Sequence, residues 1–240
     1  MEDERCLVAR GRSRTYLLLA KAFLGKPSAE YLAQVRDGRL LDALQDSLSE
    51  EYRSAIEGLR GVAMRPSFAS AGELEPVYES LFRMPVPGRY VPPYESCFRE
   101  GAGAIDSGYG DMWGSSSCQV NEFYARNRLK LAVENLPSDH VGVELLFMSK
   151  MCELEAQAIK EGEYESAALL QYEELQFLES HLIVWLPRLA RKVGEVHPGG
   201  FYAHLAWLAA GFAEGDADYL GEASFGVASI ETLESELAGA

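Results

Sequence analysis

The sequence predicts an all-α protein, a single globular helical domain of about eight to ten helices with a long Pro/Gly-rich connection in its middle. Three observations predict it. Apolar residues recur at steps of three and four, as Val143, Phe147, Met151, Leu154 and Ala158 do, and this marks one face of a helix. Serine and aspartate caps alternate with glycine and proline stops at helical distances. The period-two alternation of a half-buried strand is scarce.

Taken in order, residues 4–24 form a first helix that stops at Gly25, with Pro27 beyond it. Ser28 caps a short helix through about Arg36, and a second short one covers Leu40 to Leu48. Ser49 caps a helix to about Met64, closed by Pro66. Pro76 is expected in the first turn of the next helix, where its missing N–H does no harm. That helix carries Tyr78, Leu81 and Phe82 on one face. From 84 to 114 the chain changes character: prolines crowd Met84–Tyr94, and Gly101, Gly103, Gly108 and Gly110 follow. Long irregular connections in compact domains tend to be functional or mobile. It divides the domain, residues 1–240, into an N-terminal helical half, 1–83, and a C-terminal half, 115–240. Ser116 reads as the cap of a helix to about Glu134, with Gln119 completing a capping box. Asp139 then caps a helix to about Gly162, in which the stripe from Val143 to Ala158 is buried. Residues 163–191 continue as a long helix, bent or broken near Pro187. Phe201 to Phe212 is apolar almost all round and reads as a central buried helix, and a last helix begins near Ile230.

A hydrophobic share of 48% over 240 residues suffices for a real core. The formal charge of −15, from 22 basic against 37 acidic side chains, repels phosphate backbones and anionic headgroups. Nucleic acid and stable membrane insertion are therefore not expected, and a basic partner is favoured. Cys6, Cys97, Cys118 and Cys152 lie far apart without a CxxC pair, which suits reduced thiols, and no metal-ligand spacing is present. The basic run at Arg10–Arg14 precedes an apolar stretch cut short at Lys21, so an amphipathic first helix fits better than a signal peptide. No apolar run is long enough to cross a bilayer, and a cytoplasmic location is expected.

Nucleotide-loop, zincin and hydrolase signatures are absent, so the expectation is no catalytic residue, no metal and no cofactor. Two segments stand out. Tyr78-Glu-Ser-Leu-Phe82 leads into Val91-Pro-Pro-Tyr-Glu-Ser96. It reads either as a rigid corner with Tyr94 plugging the core, or as a stiff aromatic edge holding a peptide groove open. Pro137-Ser-Asp-His140 leads into Glu144. It reads either as a capped helix with His140 and Glu144 paired on the surface, or as an exposed lip of Asp139, His140 and Glu144 that grips a guanidinium.

These residues together carry a resemblance. Tyr78-x-x-Leu81-Phe82, then Pro92-Pro-Tyr-Glu-Ser96, then Asp139-His140 with Glu144-Leu-Leu-Phe-Met148 is similar, in order and separation, to the TorD/DmsD/NarJ family of molybdoenzyme maturation chaperones. Met112-Trp-Gly114 and His181-Leu-x-x-Trp185 fall where that family has similar residues, and the likeness spans roughly residues 12–212. The loop carries Tyr90 where DmsD-type members often have tryptophan. The resemblance implies a helical, non-enzymatic chaperone. It would bind the catalytic subunit of a DMSO-reductase-family molybdoenzyme, mask its twin-arginine signal peptide, and hold it for cofactor insertion before export. On this reading Asp139, His140 and Glu144 orient the arginines, while Tyr78, Leu81, Phe82, Pro92, Pro93, Tyr94 and Glu95 belong to the binding groove. The alternative is a helical adaptor that binds another protein partner. Either a monomer or a homodimer is compatible with the sequence.

Overall fold

The computed structural model describes residues 3–45, 49–65, 71–99, 109, 114–130, 133 and 136–238, with backbone alone at 40, 43, 45, 51, 71 and 223–238. Among the described residues every regular element is a helix. Their extended pairing is a single antiparallel bridge between Tyr94 and His140.

The N-terminal half follows its sequence punctuation closely. Helix α1 (Glu4–Leu24) starts at Asp3, whose carboxylate accepts the Arg5 N–H. Helix α2 (Ala29–Asp37) starts at Ser28, which accepts from the Tyr31 N–H, and ends at Gly38 in the left-handed region. Helices α3 (Arg39–Gln45) and α4 (Glu50–Ala63) follow. Residues 46–48 and Pro66 lie outside the described residues. Helix α5 (Ala71–Tyr78) holds Pro76 in its interior rather than in its first turn, and it passes directly into a π-turn over Glu79–Arg83.

The middle connection is not wholly irregular, because a short helix α6 (Glu95–Arg99) lies within it. Gly101, Gly103, Gly108, Gly110, Met112 and Trp113 lie outside the described residues. Helix α7 (Ser115–Arg126) is capped by Gly114, not Ser116, and stops well short of Glu134. At the stop Arg128 adopts φ 56°, and Asn127 turns its side-chain amide back onto the Phe123 carbonyl at 3.0 Å. The reversal lets Tyr124 donate to the Ser138 carbonyl at 2.9 Å and brings the Ser117 hydroxyl 2.9 Å from that of Ser138.

Helix α8 (Val141–Glu161) ends at Gly162, whose φ of 79° is the left-handed cap its position predicts. Val143, Phe147, Met151 and Ala158 of its stripe are buried, but Leu154 is 41% exposed. Glu155 takes the inward position instead. Helix α9 (Tyr164–Phe177) runs through a second π-turn (Leu178–Leu182) into α10 (Ile183–Val196). The irregularity falls before Pro187, which sits inside continuous helix. Helix α11 is one element from Phe201 to Ala238, so no separate helix begins near Ile230.

The main core is the antiparallel pairing of α1 with α8, closed by α10 and α11. Tyr16, Leu19 and Phe23 of α1, Phe147 and Met151 of α8, and Trp185 and Tyr202 all lie fully buried in one core, where Tyr16 packs on Phe212, Phe23 on Phe82 and Phe147 on Phe177. Gly142 permits the closest approach. A Cβ there would lie 2.8 Å from Leu24 Cγ, so any side chain would push α8 off the end of α1. This contact sets the start of α8, and the site described below is built on that start.

Candidate functional site

The two segments singled out in the sequence meet in space. Pro93 O accepts the Val141 N–H at 2.9 Å, and Asp139 O accepts the Glu95 N–H at 2.9 Å, so the proline segment lies antiparallel against the start of α8. Proline fits because the strand edge uses its carbonyl and not the missing N–H. The Asp139 carboxylate accepts the Ser96 N–H at 3.0 Å, in effect capping α6 from another part of the chain. The cap of α8 is His140 rather than Asp139: its Nδ1 accepts the Gly142 N–H at 3.0 Å. An accepting Nδ1 places the ring proton on Nε2. Burial, with Arg83 acting in the same sense, holds the His140 pKa down at about 3, so the ring is neutral. Tyr94 packs edge-to-face on it at 5.4 Å between ring centroids.

Behind this pairing sits a ring of buried polar groups. Glu95 accepts from His181 Nδ1 at 2.8 Å and from Arg99 at 2.5 Å. Arg99 also donates to the Ser180 carbonyl at 2.8 Å. His181 and Ser180 belong to the second π-turn, which presents the histidine to Glu95 and the Ser180 carbonyl to Arg99. Such turns occur frequently at functional sites. Glu144 accepts from the Trp185 indole at 3.1 Å. Burial, then the neighbouring Glu95 charge, push its carboxyl well above the usual range.

The positions expected at the surface are therefore mostly interior. Asp139, His140 and Glu144 are buried, so they form no exposed lip, and a guanidinium on a client cannot reach them in this conformation. They looked like a surface pattern because polar residues at a helix start usually are. Here the proline segment covers them: its Glu95 and Ser96 N–H groups bond to Asp139, while His140 accepts from Gly142 and Glu144 from the Trp185 indole. Tyr78, Leu81 and Phe82 are likewise buried, in an aromatic knot with Phe23 and Tyr202 beneath the segment. Pro92, Pro93 and Glu95 are buried too, which leaves Tyr94 as the half-exposed member of the set. Around it lie half-buried Tyr90 and exposed Met84, Val86, Arg83 and Arg89. The accessible chemistry is apolar and aromatic with a fringe of cations.

A second buried cluster went unpredicted. Arg12 of α1 donates to Glu155 of α8 at 2.6 Å, to Glu174 of α9 at 2.5 Å, and to Asp216 of α11 at 2.5 and 3.1 Å. Tyr16 adds a hydrogen bond to Asp216 at 2.6 Å. Burial raises Glu174 to about 8 despite Arg12. Cys152, Glu155 and Glu174 have the spacing of a metal site, but the Arg12 guanidinium already engages both carboxylates. The sequence did hold a signal for this cluster: Arg12 follows Ala9 and precedes Tyr16 and Leu19 on one apolar stripe, and Glu155 interrupts another.

Comparison with known proteins gives the following. The family model described as nitrate reductase delta subunit matches residues 45–191. A chaperone protein TorD of Vibrio cholerae is 25% identical over 228 residues, covering 92% of this chain and 97% of the relative. The TorD chaperone of Vibrio parahaemolyticus is 31% identical over 121 residues, 47% of this chain and 55% of its own. That of Aliivibrio salmonicida is 33% identical over 86 residues, 36% and 39% respectively.

Proposed function

The chain belongs to the nitrate reductase delta subunit family, and from that premise we propose that it is a maturation chaperone for a molybdenum-cofactor oxidoreductase, acting in the cytoplasm. It binds the catalytic subunit of the client and shields its twin-arginine signal peptide until the cofactor is in place. The single observation that carries the reading is the Tyr94–His140 bridge, where the proline segment is locked to the start of α8 with an aromatic edge left accessible.

The physical case is one of preorganisation. The edge is held by hydrogen bonds from both sides and by Glu95 behind it, so binding costs little ordering of the chaperone. A micromolar complex requires about 8 kcal/mol. Exposed ion pairs supply roughly 1 kcal/mol or less each, so most of the affinity must come from burying the apolar stretch of the peptide. With Asp139, His140 and Glu144 enclosed, their role is to position Tyr90 and Tyr94, and the apolar segment of the signal peptide lies on Met84, Val86, Tyr90 and Tyr94. This is a helix-in-groove mode whose anchors are aromatic.

Calorimetric titration with a synthetic peptide carrying a twin-arginine head and an apolar helical stretch tests it. Micromolar binding is expected, weakened roughly tenfold by Tyr94→Ala and lost when the apolar leucines of the peptide become serines. Unchanged affinity in Tyr94→Ala would move the peptide elsewhere. No binding by the wild-type protein would remove the signal-peptide part of the proposal.

A further inference from the structure

Three adjoining cavities of about 550, 370 and 200 Å³ run along the outward face of α1. The first and second share Arg14 and Leu17, and the first and third share Lys21 and Gln34, so the three make one groove between α1, α2 and α8. Its lining is anomalous for this protein. Arg10, Arg14, Lys21, Lys26, Arg39 and Lys150 face three acidic residues, Glu30, Asp37 and Glu153, a local charge of +3 in a chain of −15.

Several of those cations are already paired. Arg39 holds Asp37, Lys150 holds Glu153, and Lys26 reaches across to Glu75. Arg14 and Lys21 are exposed and have no carboxylate partner among the described residues. They stand seven residues apart on α1, two turns or about 10 Å, with Leu17 and Leu18 on the turn between them. Cations two turns apart bracketing an apolar step are the mirror of an acidic amphipathic helix.

We propose that this groove is a second client-docking surface, which takes an amphipathic helix of the partner protein carrying carboxylates two turns apart around apolar side chains. The inference rests on the chaperone reading for the identity of the partner. Two observations commit the groove to such an occupant. Charge complementarity is the first, since a local charge of +3 attracts an acidic helix that the net −15 of the chain repels. The second is continuity with the aromatic edge. Lys26 at the end of the groove pairs with Glu75 of α5, and its Nζ lies 3.8 Å from Glu79, the first residue of the π-turn that carries Leu81 and Phe82. One client can therefore engage the groove with its folded body and the aromatic edge with its leader, which raises the effective concentration of each contact for the other.

The test uses the full chain and a synthetic 18-residue helical peptide with leucines on one face and glutamates flanking them at i and i+7, beside a control with lysines in their place. Titration at low salt should show the glutamate peptide binding at least roughly tenfold more tightly than the lysine peptide, a preference that falls as salt rises. Arg14→Glu combined with Lys21→Glu changes two exposed side chains and should leave the helical circular dichroism intact. The double variant should lose roughly tenfold for the glutamate peptide and gain for the lysine peptide. Equal affinity for the two peptides, or a double variant that binds the glutamate peptide as the wild type does, overturns the proposal. Neither probe contains a twin-arginine head, so failure here leaves the signal-peptide titration standing, and failure there leaves this result standing.

Discussion

Around Arg12 three carboxylates from three helices surround one permanent cation. Around Glu95 the buried carboxylates meet a histidine, an indole, a second carboxyl and backbone N–H groups, with Arg99 reaching in from the surface. Both clusters are interior and both cross-link distant parts of the chain. The first ties α1, α8, α9 and α11 to one another, while the second ties an irregular segment to the start of one helix. The difference shows that burial of charge serves two ends here. A hub built on one permanent cation fixes how helices sit together, and a largely acceptor-based one fixes a loop whose outer surface is then available to a partner.

If that division is right, breaking the hub should be the more damaging change. Arg12→Met leaves Glu155, Glu174 and Asp216 buried without their cation and should cost about 3–5 kcal/mol in urea unfolding. A loss below about 1 kcal/mol would mean that the carboxylates protonate and the hub is dispensable. Adding Glu174→Gln to Arg12→Met should recover part of the loss.

The second cluster should respond locally. Asp139→Ala removes the acceptor for the Ser96 N–H and should cost about 1–3 kcal/mol. The sharper signature is amide exchange, which should quicken over residues 93–97 and stay unchanged in α1 and α11. Exchange that quickens uniformly would erase the distinction between the two clusters.

The two also carry opposite pH signs. Glu174 has its folded pKa raised to about 8 from 4.5, so the folded state holds the extra proton, and stability declines as pH rises through that window. His140 has its folded pKa lowered to about 3 from 6.5, so the unfolded state binds the proton, and stability declines as pH falls through that window. Glu174→Gln should flatten the first slope, at most about 1.4 kcal/mol per pH unit, and His140→Asn the second. Asparagine keeps the capping acceptor, so the His140 variant should barely move stability at pH 7. Urea midpoints measured from pH 5 to 8 separate these effects, and matching slopes in both variants and the wild type would remove either group as the titrating one.

Much of the architecture was legible because it is written in local chemistry. Ser28 starts its helix and Gly162 ends its own as their conformational preferences dictate. The buried stripe of α8 follows from periodicity, with Leu154 the exception because Glu155 is drawn inward by Arg12 from the neighbouring helix. Boundaries failed where a non-local contact decided them. Helix α7 stops at Arg126 because its reversal brings Ser138 against Ser117 and Tyr124, and nothing in residues 116–134 announces that contact. The candidate site was found as a set of motifs but misplaced in depth. Asp139, His140 and Glu144 have the composition of a surface helix start, and only the segment laid over them makes them interior.

By itself the sequence determined the helical class, most helix starts and stops, the acidic charge and the family likeness. Each of these depends on residues within a few turns of one another or on simple sums along the chain. Tertiary structure decided which polar groups are buried, that Arg12 is a hub, that the proline segment covers His140, and that scattered cations from α1, α3 and α8 line one groove. Those outcomes depend on pairings across many residues, as between Arg12 and Asp216, and single-chain periodicity carries no information about which helix face meets which.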